Sequence, residues 1–330
     1  MGNLHDHDIL QSDSFSTYIV PIIRSTYDIT DVERITNPPI YSHTSRKCLI
    51  HSSSGTFFVK ELPKYRGKDA WIFTSQFQKQ LSVFTNIILA PRCTEDGYLV
   101  LSIGDNNYHV TPFVKADYFD GSDEEIRSSG ALTAEVHNIS ENIALPSAFN
   151  FDMPDTVKLL SKLIYTESQE EQNWIESLVN DTIKLWQDAE SFKIQRHIIH
   201  GDISPFNFLF VNKEAVLLND FDNACVSIFL HDLAEGLLTF GYMMYAGIVS
   251  NFAAKLPQAP NKQRVGAFIE GYTSKRPILS EDLKPLSIYV ELVWNELLIL
   301  GVVRGDFSIS HARKRIDISK KINIYLETIL

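Results

Sequence analysis

The chain has few cysteines, no excess of positive charge and none of the common glycine-rich phosphate loops. Its three cysteines among 330 residues, Cys48, Cys93 and Cys225, lie far apart. An odd, scattered set forms neither a disulfide framework nor a C-x-x-C metal pair and points to a reducing, cytoplasmic setting. Lys and Arg number 30 against 41 Asp and Glu, a net charge of −11. That balance excludes a general basic surface for nucleic acid or an anionic membrane, and it is compatible with cationic ligands. The opening residues, Met1 to Asp8, contain no apolar core of a secretory signal, and Asp6 stands where a myristoylation signal needs Ser or Thr. Their His-Asp alternation reads as a solvated tail. The membrane-like stretch, Gly236 to Ala254, is uncharged but contains Thr239, Tyr242, Tyr245, Ser250 and Asn251, and it reads as a buried helix rather than a span. Neither G-x-x-x-x-G-K-[ST] nor G-x-G-x-x-G occurs.

What is present is a composition that folds. Hydrophobic residues make up 44% and aromatics 11%, enough for a sizeable core and about two domains. The first third reads as strands and the rest as helices, so the expected class is α+β with two unequal lobes. Residues 1–114 are expected to form a small antiparallel sheet with one inserted helix, and residues 115–330 a helical lobe. Cys48–His51 and Thr56–Glu61 flank Ser52-Ser53-Ser54-Gly55, a hairpin signal, and Tyr98–Ile103 and Tyr108–Val114 flank a second at Gly104–Asn107. Helical spacing predicts Ala70–Phe84, a helix capped by Ser122 and Glu125 towards His137, Glu170–Asp188, Asp232–Ala246, Arg264–Tyr272, Asp282–Val303 and His311–Leu326. One interruption is expected in the second lobe, a pair of short strands at Phe208–Val211 and Ala215–Leu218.

The chemistry concentrates in His200-Gly201-Asp202-Ile203-Ser204-Pro205-Phe206-Asn207 and Asn219-Asp220-Phe221-Asp222. A hairpin centred near Lys213 sets Asn207 opposite Asn219, one residue from Asp220, and opposed residues lie about 5 Å apart. Asp202 sits on the loop just before. Two carboxylates and an amide therefore converge, an oxygen set that suits Mg²⁺ shared with phosphates.

H-G-D-x-x-x-x-N followed by D-F-D has the spacing of the kinase catalytic loop and metal-binding triplet. In this form it resembles the aminoglycoside phosphotransferase and choline kinase superfamily, which includes type II homoserine kinases and has a two-lobed protein-kinase-like fold. The resemblance implies ATP and Mg²⁺, with Asp202 as catalytic base, Asn207 and Asp220 as metal ligands and His200 holding the loop. It further implies that Lys60, ending the strand Phe57-Phe58-Val59-Lys60, meets the α/β-phosphates. Ser42, Thr44 and Ser45 would cover the phosphates, and Pro112, Phe113 and Val114 would present backbone to adenine. Gln78 stands where the family's helix commonly offers Glu to orient that lysine. Asp222 is followed almost at once by His231-Asp232-Leu233-Ala234, with no room for a protein-kinase activation segment, so the acceptor is expected to be a small-molecule hydroxyl. Asp232 is expected to cap its helix or brace the loop, and His137 to be a packing histidine. Asp222, Glu235, Trp294 and Glu296 are candidates for the acceptor pocket. The basic run Arg313, Lys314, Arg315, Lys320, Lys321 reads as a solvated face. The expected reaction is phosphorylation of an amine-bearing alcohol or antibiotic, with a metabolic homoserine- or choline-type kinase as one alternative and a nucleotide-binding regulator as another. No nucleic-acid or membrane partner is expected, and the sequence has no signal for an oligomeric state.

Overall fold

The computed structural model describes residues 14–38, 45–64, 66–145, 162, 164, 166, 168–243 and 255–330. The chain separates into two compact units, with the boundary between Ala116 and Asp117.

The first unit is a five-stranded antiparallel sheet of order β1-β2-β3-β5-β4, formed by β1 (Val32–Thr36), β2 (Lys47–Ser52), β3 (Gly55–Leu62), β4 (Leu101–Ile103) and β5 (Asn106–Pro112). β2 and β3 meet through Ser53 and Ser54, with Ser52 paired to Gly55, whose φ of 132° only glycine adopts readily. Alternation then sorts the sheet into two faces. Cys48, Ile50, Phe57, Val59, Tyr108 and Val110 pack on one side against a helix the sequence reading missed, α1 (Ser14–Thr26). Its Ile19 and Ile23, with Tyr27 just past its end, recur every fourth residue and are buried. Pro21, inside α1, masks the helical signal. Among its described residues the first unit therefore has two helices in place of the one expected, the second being α2 (Lys68–Phe84), whose Trp71 packs against Leu62 and Val100. β4 starts three residues later than expected, because Tyr98 closes a turn in which its carbonyl accepts from Thr94 N at 2.8 Å and its N–H donates to Thr94 Oγ1 at 3.0 Å.

The second unit is helical around two short strand pairs. Its helices are α3 (Asp123–Ser140), α4 (Gln169–Glu190), α5 (Phe229–Leu238), α6 (Lys262–Thr273), α7 (Leu283–Arg304), α8 (Ile309–Arg313) and α9 (Ile318–Ile329). Ser122 caps α3 by accepting from Glu125 N, but the Glu125 carboxylate turns to Asp120 N at 2.7 Å instead of returning to Ser122. The expected hairpin is β7 (Phe208–Val211) and β8 (Glu214–Leu218). A second pair, not foreseen, joins β6 (His197–Ile199) to β9 (Cys225–Ser227). Three residues are too few to show a period. The helix expected over His311–Leu326 breaks into α8 and α9 at a turn where the Arg315 carbonyl accepts from both Ile318 N at 3.1 Å and Trp294 Nε1 at 2.9 Å. α5 begins at Phe229 and passes into a π-turn, Thr239–Met243, whose Thr239 hydroxyl bonds the Glu235 carbonyl. Residues 236–242 are buried, and the remainder of the membrane-like stretch, 244–254, lies outside the described residues. Among the described residues, the one helix long and apolar enough to cross a bilayer is Ser280–Arg304, not that stretch. Over half of its apolar window, 56%, is buried inside the fold, where α7 packs against α4, α5 and α9.

α3 and α6 make the closest helix contact. A Cβ on Gly130 would strike the Phe268 carbonyl, and one on Gly271 the Arg127 carbonyl. Both obstacles are backbone, which side-chain rotation cannot relieve. Gly271→Ala is expected to destabilise the protein by about 2 kcal/mol in denaturant titration. Gly67→Ala, where an added Cβ meets nothing within 4 Å, should change it little. Equal effects would mean that the two helices separate without penalty.

Candidate functional site

The hairpin does what its spacing predicts. Asn219 N donates to the Asn207 carbonyl at 2.8 Å, so Asp220 emerges next to Asn207. Asp220 is held at φ 62°, a left-handed conformation that Asp tolerates better than most residues and that turns the chain off the strand. Pro205–Asn207 form one 3₁₀ turn, and Asn207 Nδ2 donates to the Asp202 carbonyl at 2.8 Å. With its nitrogen fixed, the Asn207 amide presents its oxygen on the other side. The Asp202 carboxyl is pushed up by burial and by the Asp220 carboxylate, with His200 pulling the other way. Asp202, Asn207 and Asp220 thus form one group. No cluster of three or more His, Cys, Asp or Glu suited to a metal occurs among the described residues. A two-ligand set of hard oxygens still fits a divalent ion that takes its other ligands from phosphate and water.

A second layer holds this loop from below. Both carboxylate oxygens of Asp232, which is wholly buried, accept loop N–H groups at 2.8 Å, Oδ2 from His200 and Oδ1 from Gly201. Gly201 has φ 73°, and a Cβ there would strike the Asn223 carbonyl. Oδ2 also faces His137 Nε2 at 3.1 Å, and His137 Nδ1 meets Tyr272 OH at 2.8 Å. Burial pushes the Asp232 carboxyl up, but His137, His200 and the Gly201 N–H outweigh it and hold the group below the usual range. Burial keeps His137 neutral by lowering its pKa. His200 Nδ1 accepts from Asp202 N at 3.2 Å, so its Nε2 is the donor to the Asn219 carbonyl at 2.8 Å, tying loop to hairpin. Asp232 therefore braces the loop. It lies inside the first turn of α5 and does not cap it.

Three of the residues expected in an acceptor pocket are largely buried. Glu235 Oε2 accepts from Ile203 N at 2.7 Å, and burial beside Asp202 and Asp232 pushes its carboxyl well up. Trp294 is buried against Tyr242, with its N–H on the Arg315 carbonyl. Glu296 turns inward towards His231 Nε2 at 3.7 Å, and burial pushes it up to about 8. All three lie on helices whose spacing shows that a face is buried but not what it is buried against. Asp222 is half-buried and sits beside Asp220. The reading missed Asn223, whose amide approaches Asp202 Oδ2 at 3.5 Å, and Thr239, whose hydroxyl donates to the Ile203 carbonyl at 2.7 Å. An Asn directly after D-F-D was the available signal for the first. Thr239 had none.

In the first unit Lys60 pairs with Lys47 and His109 and points away from the α1 face. It is 7% exposed. Gln78, on the buried side of α2, donates Nε2 to the Leu89 carbonyl at 2.9 Å. Ser45 Oγ is buried with no hydrogen-bond partner among the described residues, and Ser42 and Thr44 lie outside them. Pro112 ends β5, and Phe113 N donates to the Thr56 carbonyl at 2.8 Å. Of the three residues expected to face adenine, Pro112 has no N–H and that of Phe113 is used. Val114 is 37% exposed.

Residues 98–272 match the model of the phosphotransferase enzyme family. A comparison with curated proteins finds no match. Solved structures share the fold at low identity. Amicoumacin kinase hAmiN, in complex with AMP-PNP, Ca²⁺ and Ami, gives a TM-score of 0.71 at 16% identity, covering 92% of this chain and 93% of that one. The microcompartment-associated aminopropanol kinase gives 0.65 at 16%, covering 94% and 96%. Choline kinase LicA from Streptococcus pneumoniae gives 0.61 at 14%, covering 96% and 100%.

Two substitutions check the inward carboxylates. Glu235→Gln keeps an acceptor for Ile203 N and should cost less than about 1 kcal/mol, whereas Glu235→Ala strands that N–H and should cost about 1–3 kcal/mol. For Glu296, the unfolded chain ionises near pH ~4.3 while the folded group stays protonated up to about 8. The unfolded state then binds fewer protons, so stability declines as pH rises through that window and levels off above it. Glu296→Gln should remove this decline in denaturation curves recorded across pH. An unchanged slope would place the carboxylate in water.

Proposed function

Since the chain belongs to the phosphotransferase enzyme family, we propose that it transfers the γ-phosphate of ATP to a hydroxyl of a small, amine-bearing molecule, antibiotics included. The observation that supports this most directly is the convergence of Asp202, Asn207 and Asp220 on one side of the loop. In this reading Asp202 orients the acceptor hydroxyl and takes its proton as the oxygen attacks the γ-phosphorus and the bond to the β-phosphate oxygen breaks, releasing ADP. A carboxyl pushed up by burial is a stronger base than one in water, which suits that role. Asn207 and Asp220 hold the divalent ion, Mg²⁺, which supplies positive charge to the phosphate oxygens. Lys60 meets the α/β-phosphates, with Ser42, Thr44 and Ser45 over them. The Ser45 hydroxyl, without a partner among the described residues, supports this. Adenine is met by the Pro112 carbonyl and the Val114 backbone, since the Phe113 N–H is used within the sheet.

The amine is assigned to Asp222, the remaining acidic candidate. The fold likeness to an aminopropanol kinase and a choline kinase supports an acceptor of that kind. Three free cysteines suit a reducing, cytoplasmic setting. One observation favours a second reading, a nucleotide-binding regulator: the helix position that commonly offers Glu to the lysine is Gln78, engaged with Leu89.

Asp202→Asn is expected to lower phosphoryl transfer by about 10²–10⁴ while ATP affinity stays within a few-fold. Asp220→Ala should lower transfer and raise the Mg²⁺ concentration needed for it. Both are checked by ADP release with a panel of amino alcohols and antibiotics. ATP binding without acceptor-dependent ADP release in the unaltered protein would select the regulator, and near-normal turnover of Asp202→Asn would overturn the assigned base.

A further inference from the structure

The three cysteines are not equivalent. Cys48, in the sheet core, and Cys225, on β9, are buried, whereas Cys93 is partly exposed on the segment between α2 and β4. Lys79, exposed on α2, donates from its ammonium to Cys93 Sγ at 3.1 Å. Its neighbour Gln78 donates to the Leu89 carbonyl, so two adjacent residues of α2 hold the segment that bears the cysteine. The same segment is fixed to the sheet, where Arg92 N donates to the Val110 carbonyl at 2.8 Å. The sulfur is thus held at a set position beside a cation.

A second polar group lies close to the same sulfur. The end of α1 is tied to this segment twice, by Arg92 Nε on the Tyr27 carbonyl at 3.1 Å and by Glu95 N on the Thr26 carbonyl at 2.9 Å. Tyr27 is 1% exposed, and its hydroxyl has no hydrogen-bond partner among the described residues. Burial pushes the phenol up, and a thiolate at Cys93 adds to the shift, so the hydroxyl lies within electrostatic reach of the sulfur. A buried hydroxyl without a partner costs about 1–3 kcal/mol, a cost that an incoming acceptor would relieve. An oxygen added to Cys93 Sγ would find two donors nearby, the Lys79 ammonium and the Tyr27 O–H.

We propose that Cys93 is a site of reversible oxidation, at which a hydroperoxide converts the thiol to a sulfenic acid and a small thiol then caps it as a mixed disulfide. In the first step the sulfur attacks one peroxide oxygen. The S–O bond forms as the O–O bond breaks, and the second oxygen leaves as hydroxide and takes up the thiol proton to give water. Sulfur loses two electrons and the peroxide gains them. In the second step the small thiol's sulfur displaces the sulfenic oxygen, the S–S bond forms and water leaves; exchange with a further thiol restores Cys93. The thiolate is the form that reacts, and a lysine beside a cysteine favours it, whereas buried structural cysteines are inert. Lys79 supplies that charge, and Tyr27 donates to the new oxygen.

The test treats the reduced, full chain with hydrogen peroxide, traps sulfenic acid with dimedone and locates it by peptide mass spectrometry. Dimedone should accumulate at Cys93, with Cys48 and Cys225 at no more than about a tenth of that level. Lys79→Ala should slow the labelling of Cys93 by about threefold or more, and Lys79→Arg, which keeps the charge, should restore most of the rate. Tyr27→Phe removes a hydroxyl without a partner among the described residues. It should shorten the lifetime of the sulfenic acid, read by adding dimedone at increasing delays after the peroxide is quenched. Glutathione in place of dimedone should give a mixed disulfide at Cys93 that dithiothreitol removes. Equal labelling of the three cysteines in the folded protein, or a Cys93 rate that Lys79→Ala leaves unchanged, overturns the proposal. A sulfenic acid that glutathione fails to cap overturns the second step, and an unaltered lifetime in Tyr27→Phe overturns the part given to Tyr27.

Discussion

The 200–207 loop depends on one buried carboxylate. Asp232 accepts the N–H groups of His200 and Gly201 with its two oxygens, and His137 supports it from α3. A loop this close to the core cannot satisfy its backbone with water, and each N–H left without a partner costs about 1–3 kcal/mol. The carboxylate survives burial because three donors converge on it, which is the condition under which a charge in the interior is tolerated. Glu235 and Thr239, one and two turns further along α5, take the N–H and carbonyl of Ile203. A single helix therefore fixes the backbone on both sides of Asp202, and the hairpin fixes Asn207 and Asp220.

The two closest backbone approaches around this arrangement serve the same end. Gly201 lets the loop pass against the Asn223 carbonyl, and Gly130 with Gly271 lets α3 and α6 meet backbone to backbone. The second contact sets Tyr272 and His137 within a hydrogen bond of each other, which in turn orients His137 towards Asp232. Phe229 stacks between the rings of His137 and His197, with centroids 4.3 Å away on either side, so the support extends to β6. Packing in the second unit is thus transmitted to the loop through rings and carboxylates of fixed orientation.

Much of this was legible in residue order. The hairpin at 208–218 required a turn near Lys213, and the pairing of Asn207 with Asn219 followed from counting. The β2–β3 hairpin and α2 were visible through alternation and helical spacing. What escaped had a local reason. Pro21 hid α1, three residues were too few to mark β6 and β9, and the split between α8 and α9 falls where the distant Trp294 indole also meets the Arg315 carbonyl. What Glu235 meets escaped for a related reason: an acid on an apolar helix looks alike from sequence whether it faces a cleft or a backbone N–H.

By itself the sequence determined the geometry at the loop, because Asp202, Asn207 and Asp220 are brought together by contacts close along the chain, where strand period and turn length decide the arrangement. It also determined the α+β class and the family resemblance, which depend on pattern and spacing. Only the tertiary structure decided which charges hold the loop and which meet one another elsewhere. Glu235 went to Ile203 and Arg313 to Glu170. Those outcomes depend on what a second helix, scores of residues away, presents to each side chain, and no local period encodes that.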